Sequence, residues 1–189
     1  MDYSGISTIL ERRSIRKYTD QKVTRDALTL ILKAGRFAPS AQNCQAWHFT
    51  VVEDVAVIDR ITETLKAAAE EDGTDGKLMA KVCNDAYSVN FGSAPAFIII
   101  SGDPGSAMPA ENCALAAGNI MLTACALGLG SCWINQLSRG CLIPKFRALL
   151  TELGVPPEYN VYASVCLGYP DGAANASERR DGTVNYVNR

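Results

Sequence analysis

Apolar positions recur at helical spacing from the start of the chain. Ile6, Ile9 and Leu10 share one face of a helix predicted over residues 5–12. A second helix is predicted after Thr24, which caps it, with a stripe of Ala27, Leu28, Ile31 and Ala34 that the Gly35–Pro39 stretch interrupts. Trp47 to Val52 reads as a strand. Residues 54–70 and 77–90 read as two further helices, divided by Asp-Gly turns. Pro95 to Ile100, with four large apolar residues in a row, has the pattern of a buried central strand. The helix expected from Pro109 to Leu127 carries Ala114, Leu115, Ala116, Ala117, Ile120, Met121, Leu122, Ala124 and Ala126, leaving almost no polar face. Such a helix must be buried on every side, and in a chain this size a subunit interface is the natural way to do it. A further helix is expected over 138–152, a strand over 161–168, and an edge strand over 183–187. Between the last two lies a polar stretch, 171–182, long enough to carry the C-terminus away from its own core. Helices and strands mix without strict alternation, which is the signature of an α+β fold.

Composition narrows the class. At 189 residues, the chain is expected to form one domain over 1–189 with a sizeable core. Its apolar and charged fractions are those of a globular protein, and a net charge of -2 gives no reason to invoke nucleic acid or an anionic membrane. No basic-then-apolar leader is visible and no apolar run is long enough to cross a bilayer, so the expected location is the cytoplasm, with no membrane partner. Seven scattered cysteines fit reduced thiols better than a disulfide framework. His48 is the only histidine and there is no Cys-x-x-Cys, so no metal site is expected.

Against that slightly acidic background, Arg12-Arg13-Ser14-Ile15-Arg16 stands out. Guanidinium groups grip phosphate through paired, charge-assisted hydrogen bonds, and clustering them costs repulsion until an anion arrives. Solvated arginines at a helix end are the plainer alternative. A second segment, Pro39-Ser40-Ala41-Gln42-Asn43-Cys44-Gln45-Ala46-Trp47, lies between a helix and a strand. There Asn43 and Gln45 each offer a donor and an acceptor to the edge of a heterocycle, or simply belong to a polar turn. Cys44 reads as a small buried hydrophobe rather than a redox thiol. A third, Gly128-Leu129-Gly130-Ser131-Cys132-Trp133-Ile134-Asn135, lets backbone approach a flat ligand. Its order, helix then strand, is the reverse of a dinucleotide fingerprint.

Together these segments resemble the FMN-dependent nitroreductase family. The resemblance spans nearly the whole chain and rests on the three segments above, on Ala94-Pro95, on Leu167-Gly168-Tyr169-Pro170, and on Arg179-Arg180. It implies a nitroreductase-like α+β fold with a central mixed, mostly antiparallel sheet flanked by helices. It also implies a homodimer that exchanges its C-terminal strand and holds FMN at its interface. Arg12, Arg13, Ser14 and Arg16, with Arg179 or Arg180, would meet the phosphate end. Pro39, Ser40, Ala41, Asn43 and Gln45 would reach the flavin from the partner. Cys132, Trp133, Ile134, Asn135 and Gln136 would line the ring near N5, with the backbone near Asn135 closest to the chemistry.

The implied activity takes hydride from NADH or NADPH and passes two electrons to a nitroaromatic, a quinone or a similar small acceptor by ping-pong turnover. Ala46 stands where the family usually has proline before the tryptophan, a change expected to loosen that turn. The chain is also short for the family, so the helical insertion that roofs the substrate pocket in larger members is expected to be trimmed. Alternatives are dehalogenation or dehydrogenation by the same cofactor, a flavin sensor or store without turnover, and a different phosphate ligand. The flavin does the difficult chemistry, and the protein binds and orients it.

Overall fold

The structure is a computed structural model in which residues 4–71 and 94–187 are described. The helix expected over 77–90 lies outside the described residues. Along the chain come α1 (Ser4–Glu11), α2 (Arg25–Arg36), β1 (Trp47–Val52), α3 (Val55–Glu71), β2 (Ala96–Gly102), α4 (Pro109–Ala126), β3 (Gly130–Trp133), α5 (Gln136–Gly140), α6 (Pro144–Glu152) and β4 (Asn160–Gly168).

The four strands form one antiparallel sheet in the order β1-β2-β4-β3. A single parallel bridge, Ser14 to Ser131, adds the segment after α1 outside β3 and makes the sheet mixed. β2 is buried at every residue because helices cover both of its faces. Phe97 and Ile99 pack with Ile58, Ile61, Leu137 and Phe146, while Ile98 and Ile100 pack with Leu28, Ile31, Ala117 and Ile120. Each fully buried side chain of that size contributes about 1.5–3 kcal/mol. The result is three layers, with α3, α5 and α6 on one face of the sheet and α2 and α4 on the other.

Local chemistry explains the boundaries. The Thr24 side chain accepts from the Ala27 N–H at 3.3 Å and starts α2. The helix expected over 138–152 is two helices, because Pro144 has no N–H to continue a hydrogen-bond ladder and instead opens α6. The expected strand over 183–187 is absent within this chain. Val184, Tyr186 and Val187 are exposed in an irregular tail, since no strand of the same chain pairs with them.

α4 corrects one expectation and sharpens another. Ile120 is wholly buried against Gly35, at 3.0 Å from where a glycine Cβ would stand, so it belongs to the chain's own core and not to an interface. The opposite side repeats Leu115, Gly118, Leu122 and Ala126 at helical spacing. Leu115 is 47% exposed, and a Cβ added to Gly118 would meet nothing within 4 Å. The face of α1 bearing Ile6, Ile9 and Leu10 is exposed as well.

Candidate functional site

α1 ends at Glu11, and the arginine segment begins at once. Backbone bonds stitch it to the sheet: Ile15 N–H donates to Ser131 O at 2.9 Å, Thr19 N–H to Tyr169 O at 2.9 Å, and Asp171 N–H to Lys17 O at 3.0 Å. Gly130 makes that approach possible, because a Cβ there would stand 2.7 Å from Cβ of Ile15. Tyr18 is buried beneath and donates its hydroxyl to Ile15 O at 2.5 Å. Burial, with Cys166 and Cys132 alongside, pushes its phenol far above the usual range, so the proton needed for that bond stays in place.

On this backbone the arginines divide. Arg13 donates to Leu10 O at 2.6 Å and Arg12 O at 2.7 Å, which uses its guanidinium to close the end of α1. Among the described residues, Arg16 makes only a long bond, 3.4 Å, to Ser14 O. None of the ion pairs among the described residues includes Arg12, Arg13 or Arg16. Their field reaches into β3: burial pushes the Cys132 thiol up, against the pull of Arg16 and Arg12. Ser14 is exposed beside them. Of the residues expected at the site in β3 and just after it, Cys132 and Ile134 are buried, and Ile134 N–H is committed to Ser164 O at 2.8 Å. Trp133 is half-buried and Asn135 is exposed at the start of α5.

The 39–45 loop is built differently. Gln42, Asn43 and Gln45 have φ of 55°, 53° and 47°. Each left-handed non-glycine residue costs on the order of 1–2 kcal/mol. Internal bonds hold the shape: Ser40 Oγ accepts from Gln45 N–H at 3.1 Å, and Gln45 Nε2 donates to Asn43 Oδ1 at 3.1 Å. Buried Asn112 accepts from Ala41 N–H at 2.8 Å. Pro39 is exposed and Ser40 half-buried. Asn43 and Gln45 line an open groove of about 660 Å³ together with Lys33, Arg36 and Phe37 of the end of α2 and the turn after it. Cys44 is not buried as expected. The residue is exposed, between left-handed turns on either side, while its sulfur accepts from Asn112 Nδ2 at 3.4 Å. His48 is half-buried, with Nδ1 at 3.5 Å from Thr50 Oγ1.

The two segments do not meet within one chain. The loop is fastened at Asn112, in the first turns of α4, while Cys125, near its other end, donates to Thr8 O of α1 at 3.8 Å. At 1.5 Å per residue, those anchor points stand roughly 20 Å apart. Arg179 and Arg180 lie in the exposed tail and join neither group by a described bond. Tyr18 and Asn112 were not singled out from the sequence, and Gly130, read there as a point of approach for a flat ligand, is instead approached by Ile15. The available signal for Asn112 was an amide in the first turn of a helix otherwise dominated by apolar residues.

The family model described as Nitroreductase family matches residues 9–169, which takes in both anchored segments and the whole sheet. The chain belongs to the nitroreductase family. It is 32% identical over 181 residues to a protein from Archaeoglobus fulgidus provisionally named as an NADH dehydrogenase/NAD(P)H nitroreductase, covering 93% of this chain and 91% of that one. Among solved structures, a nitroreductase with bound FMN from Bacteroides fragilis aligns over 100% of both chains, at 36% identity and a TM-score of 0.89. An FMN-dependent nitroreductase from Clostridium difficile aligns at 30% identity over 97% of this chain and 99% of that one, with a TM-score of 0.74. The nitroreductase fold is therefore the observed fold, and no helix among the described residues is long and apolar enough to cross a membrane.

Proposed function

We propose that the protein is an FMN-dependent oxidoreductase that draws on NADH or NADPH. The observation that carries this is the arginine segment: Arg12 and Arg16 have no carboxylate partner among the described ion pairs, yet the backbone between them, at Ser14 and Ile15, is fixed against β3. An array of cations held ready without a counter-ion fits a phosphate monoester. Arg12, Arg16 and Ser14 would hold the phosphate, joined by Arg179 or Arg180 from the tail, with Arg13 bracing the end of α1. Asn43 and Gln45 would read the polar edge of the flavin, and the backbone near Asn135 would face its N5. When bound, FMN supplies the two-electron chemistry linking a nicotinamide donor to a nitroaromatic, quinone or similar acceptor. Donor and acceptor visit one slot in turn.

The 20 Å between the two anchor points supports a homodimer. Two α4 helices crossing antiparallel near Gly118, about midway between Asn112 and Cys125, would bring the arginine end of one chain to the loop end of the other. The stripe of Leu115, Gly118, Leu122 and Ala126 supplies an apolar surface and a point of close approach for that crossing. The exposed tail of each chain would then have the open edge of its partner's β1 to pair with.

Acid release from the purified protein tests the reading directly. One FMN per chain is expected, with parallel initial-rate lines when NADH or NADPH and a quinone are varied together. FAD in the extract, or no flavin after incubation with FMN, would overturn the cofactor assignment. Intersecting lines would remove the shared slot.

A further inference from the structure

Asn112 and Asn119 are the two side-chain amides of α4, and they stand two turns apart on one face. Asn119 Nδ2 donates to Ala34 O at 3.0 Å, in the last turn of α2. Asn112 accepts from Ala41 N–H at 2.8 Å and donates to Ala107 O at 2.7 Å and to Cys44 Sγ at 3.4 Å. One rigid helix thus grips the chain both before and after it turns out of α2. Asn112 is only 3% exposed, and both atoms of its amide are engaged with the two loops that converge on it. A hydrophobe would fill the same space without the cost of burying an amide, so the amide is there for its bonds. The loop it holds contains three left-handed non-glycine residues, a shape that persists only when its surroundings enforce it.

We propose that Asn112 is a positioning residue for the cofactor half-site on residues 40–45. It touches no ligand itself, and fixes the backbone from which Asn43 and Gln45 project. The assignment rests on the FMN reading above. Two variants separate the bonds from the packing. Asn112→Leu keeps about the same size but removes both the acceptor for Ala41 N–H and the donor to Ala107 O. Ala41→Pro deletes the N–H that Asn112 receives, leaves the core intact, and follows a Ser40 whose extended backbone (φ -138°, ψ 150°) suits a proline after it.

Three readouts are taken on the full-length protein: amide exchange at residue 41 without flavin, FMN titration, and visible circular dichroism of the bound flavin. In the wild type, the Ala41 amide should be protected. In Asn112→Leu its protection should fall while β2 keeps its own. In both variants the FMN dissociation constant should rise about tenfold or more, and the flavin dichroism should change. Wild-type affinity and dichroism in either folded variant would overturn the assignment, as would an Ala41 amide that exchanges freely in the wild type. A wild-type chain that binds no FMN would instead overturn the cofactor reading, whatever the state of the Ala41 amide.

Discussion

The two ends of α4 carry site segments of opposite design. At the Cys125 end, the backbone of residues 14–19 is committed to strand-like bonds, and the charges of Arg12 and Arg16 are left without carboxylates among the described residues. At the Asn112 end, the side chains of Ser40, Asn43 and Gln45 bond within the loop, and the backbone is forced into left-handed turns. One end offers charge on a relaxed scaffold, while the other offers shape on a strained one. Charge can capture an anion from a distance, whereas shape can only sort what has already arrived. A ligand that needs both must have an anionic head and a flat polar edge, which is the description of FMN.

The sharpest way to break this comparison is to keep the ends from meeting across two chains. Leu122→Asp places a carboxylate on the outward stripe of α4, and burying it unpaired costs about 3–5 kcal/mol. Light scattering should show a folded monomer, and the purified protein should be colourless. Next in size is the loss of charge at the arginine end. Arg16→Ala should raise the FMN dissociation constant roughly 30-fold, about 2 kcal/mol, and flatten its dependence on salt. Arg13→Ala should do less, because that guanidinium already serves Leu10 O and Arg12 O. Fluorescence titrations at two ionic strengths measure all of these, and an Arg13 effect larger than that of Arg16 would reverse the division of labour. The smallest expected effect comes from Tyr18→Phe, which removes the hydroxyl bonded to Ile15 O at 2.5 Å. Thermal unfolding should report a loss of about 1 kcal/mol, with the salt dependence of FMN binding unchanged.

Much of the layout was legible because periodicity reports burial. The central strand over 95–100, the helix after Thr24 and the helix over 109–127 all lie where apolar spacing puts them. Periodicity does not say what does the burying. Ile120 and Leu122 look alike in the sequence, yet one is core and the other faces outward, since the direction of a helix face depends on which neighbour it meets. Cys44 misled for a related reason: cysteine is generally buried, but left-handed turns at Gln42 and Gln45 are invisible in a residue type that seldom adopts them, and Asn43, of a type that does, is not enough to mark the run. The tail strand at 183–187 was read from alternation, and a strand needs an edge to pair with, which the tail does not reach within its own chain. Asn112 escaped notice because a polar residue near a helix start is ordinary until its partners are known.

The span of α4 has a consequence for how the protein behaves in solution. If FMN bridges two copies as proposed, joining surfaces held some 20 Å apart on each, occupancy and self-association become linked by mass action. Diluting the protein should drain its yellow colour as copies part. Excess FMN should hold them together at protein concentrations where the apo form separates, adding about 2.7 kcal/mol per site when free FMN exceeds its dissociation constant a hundredfold. Cells short of riboflavin would then hold less of the assembled enzyme, so cofactor supply would set how much catalyst exists as well as how fast it runs.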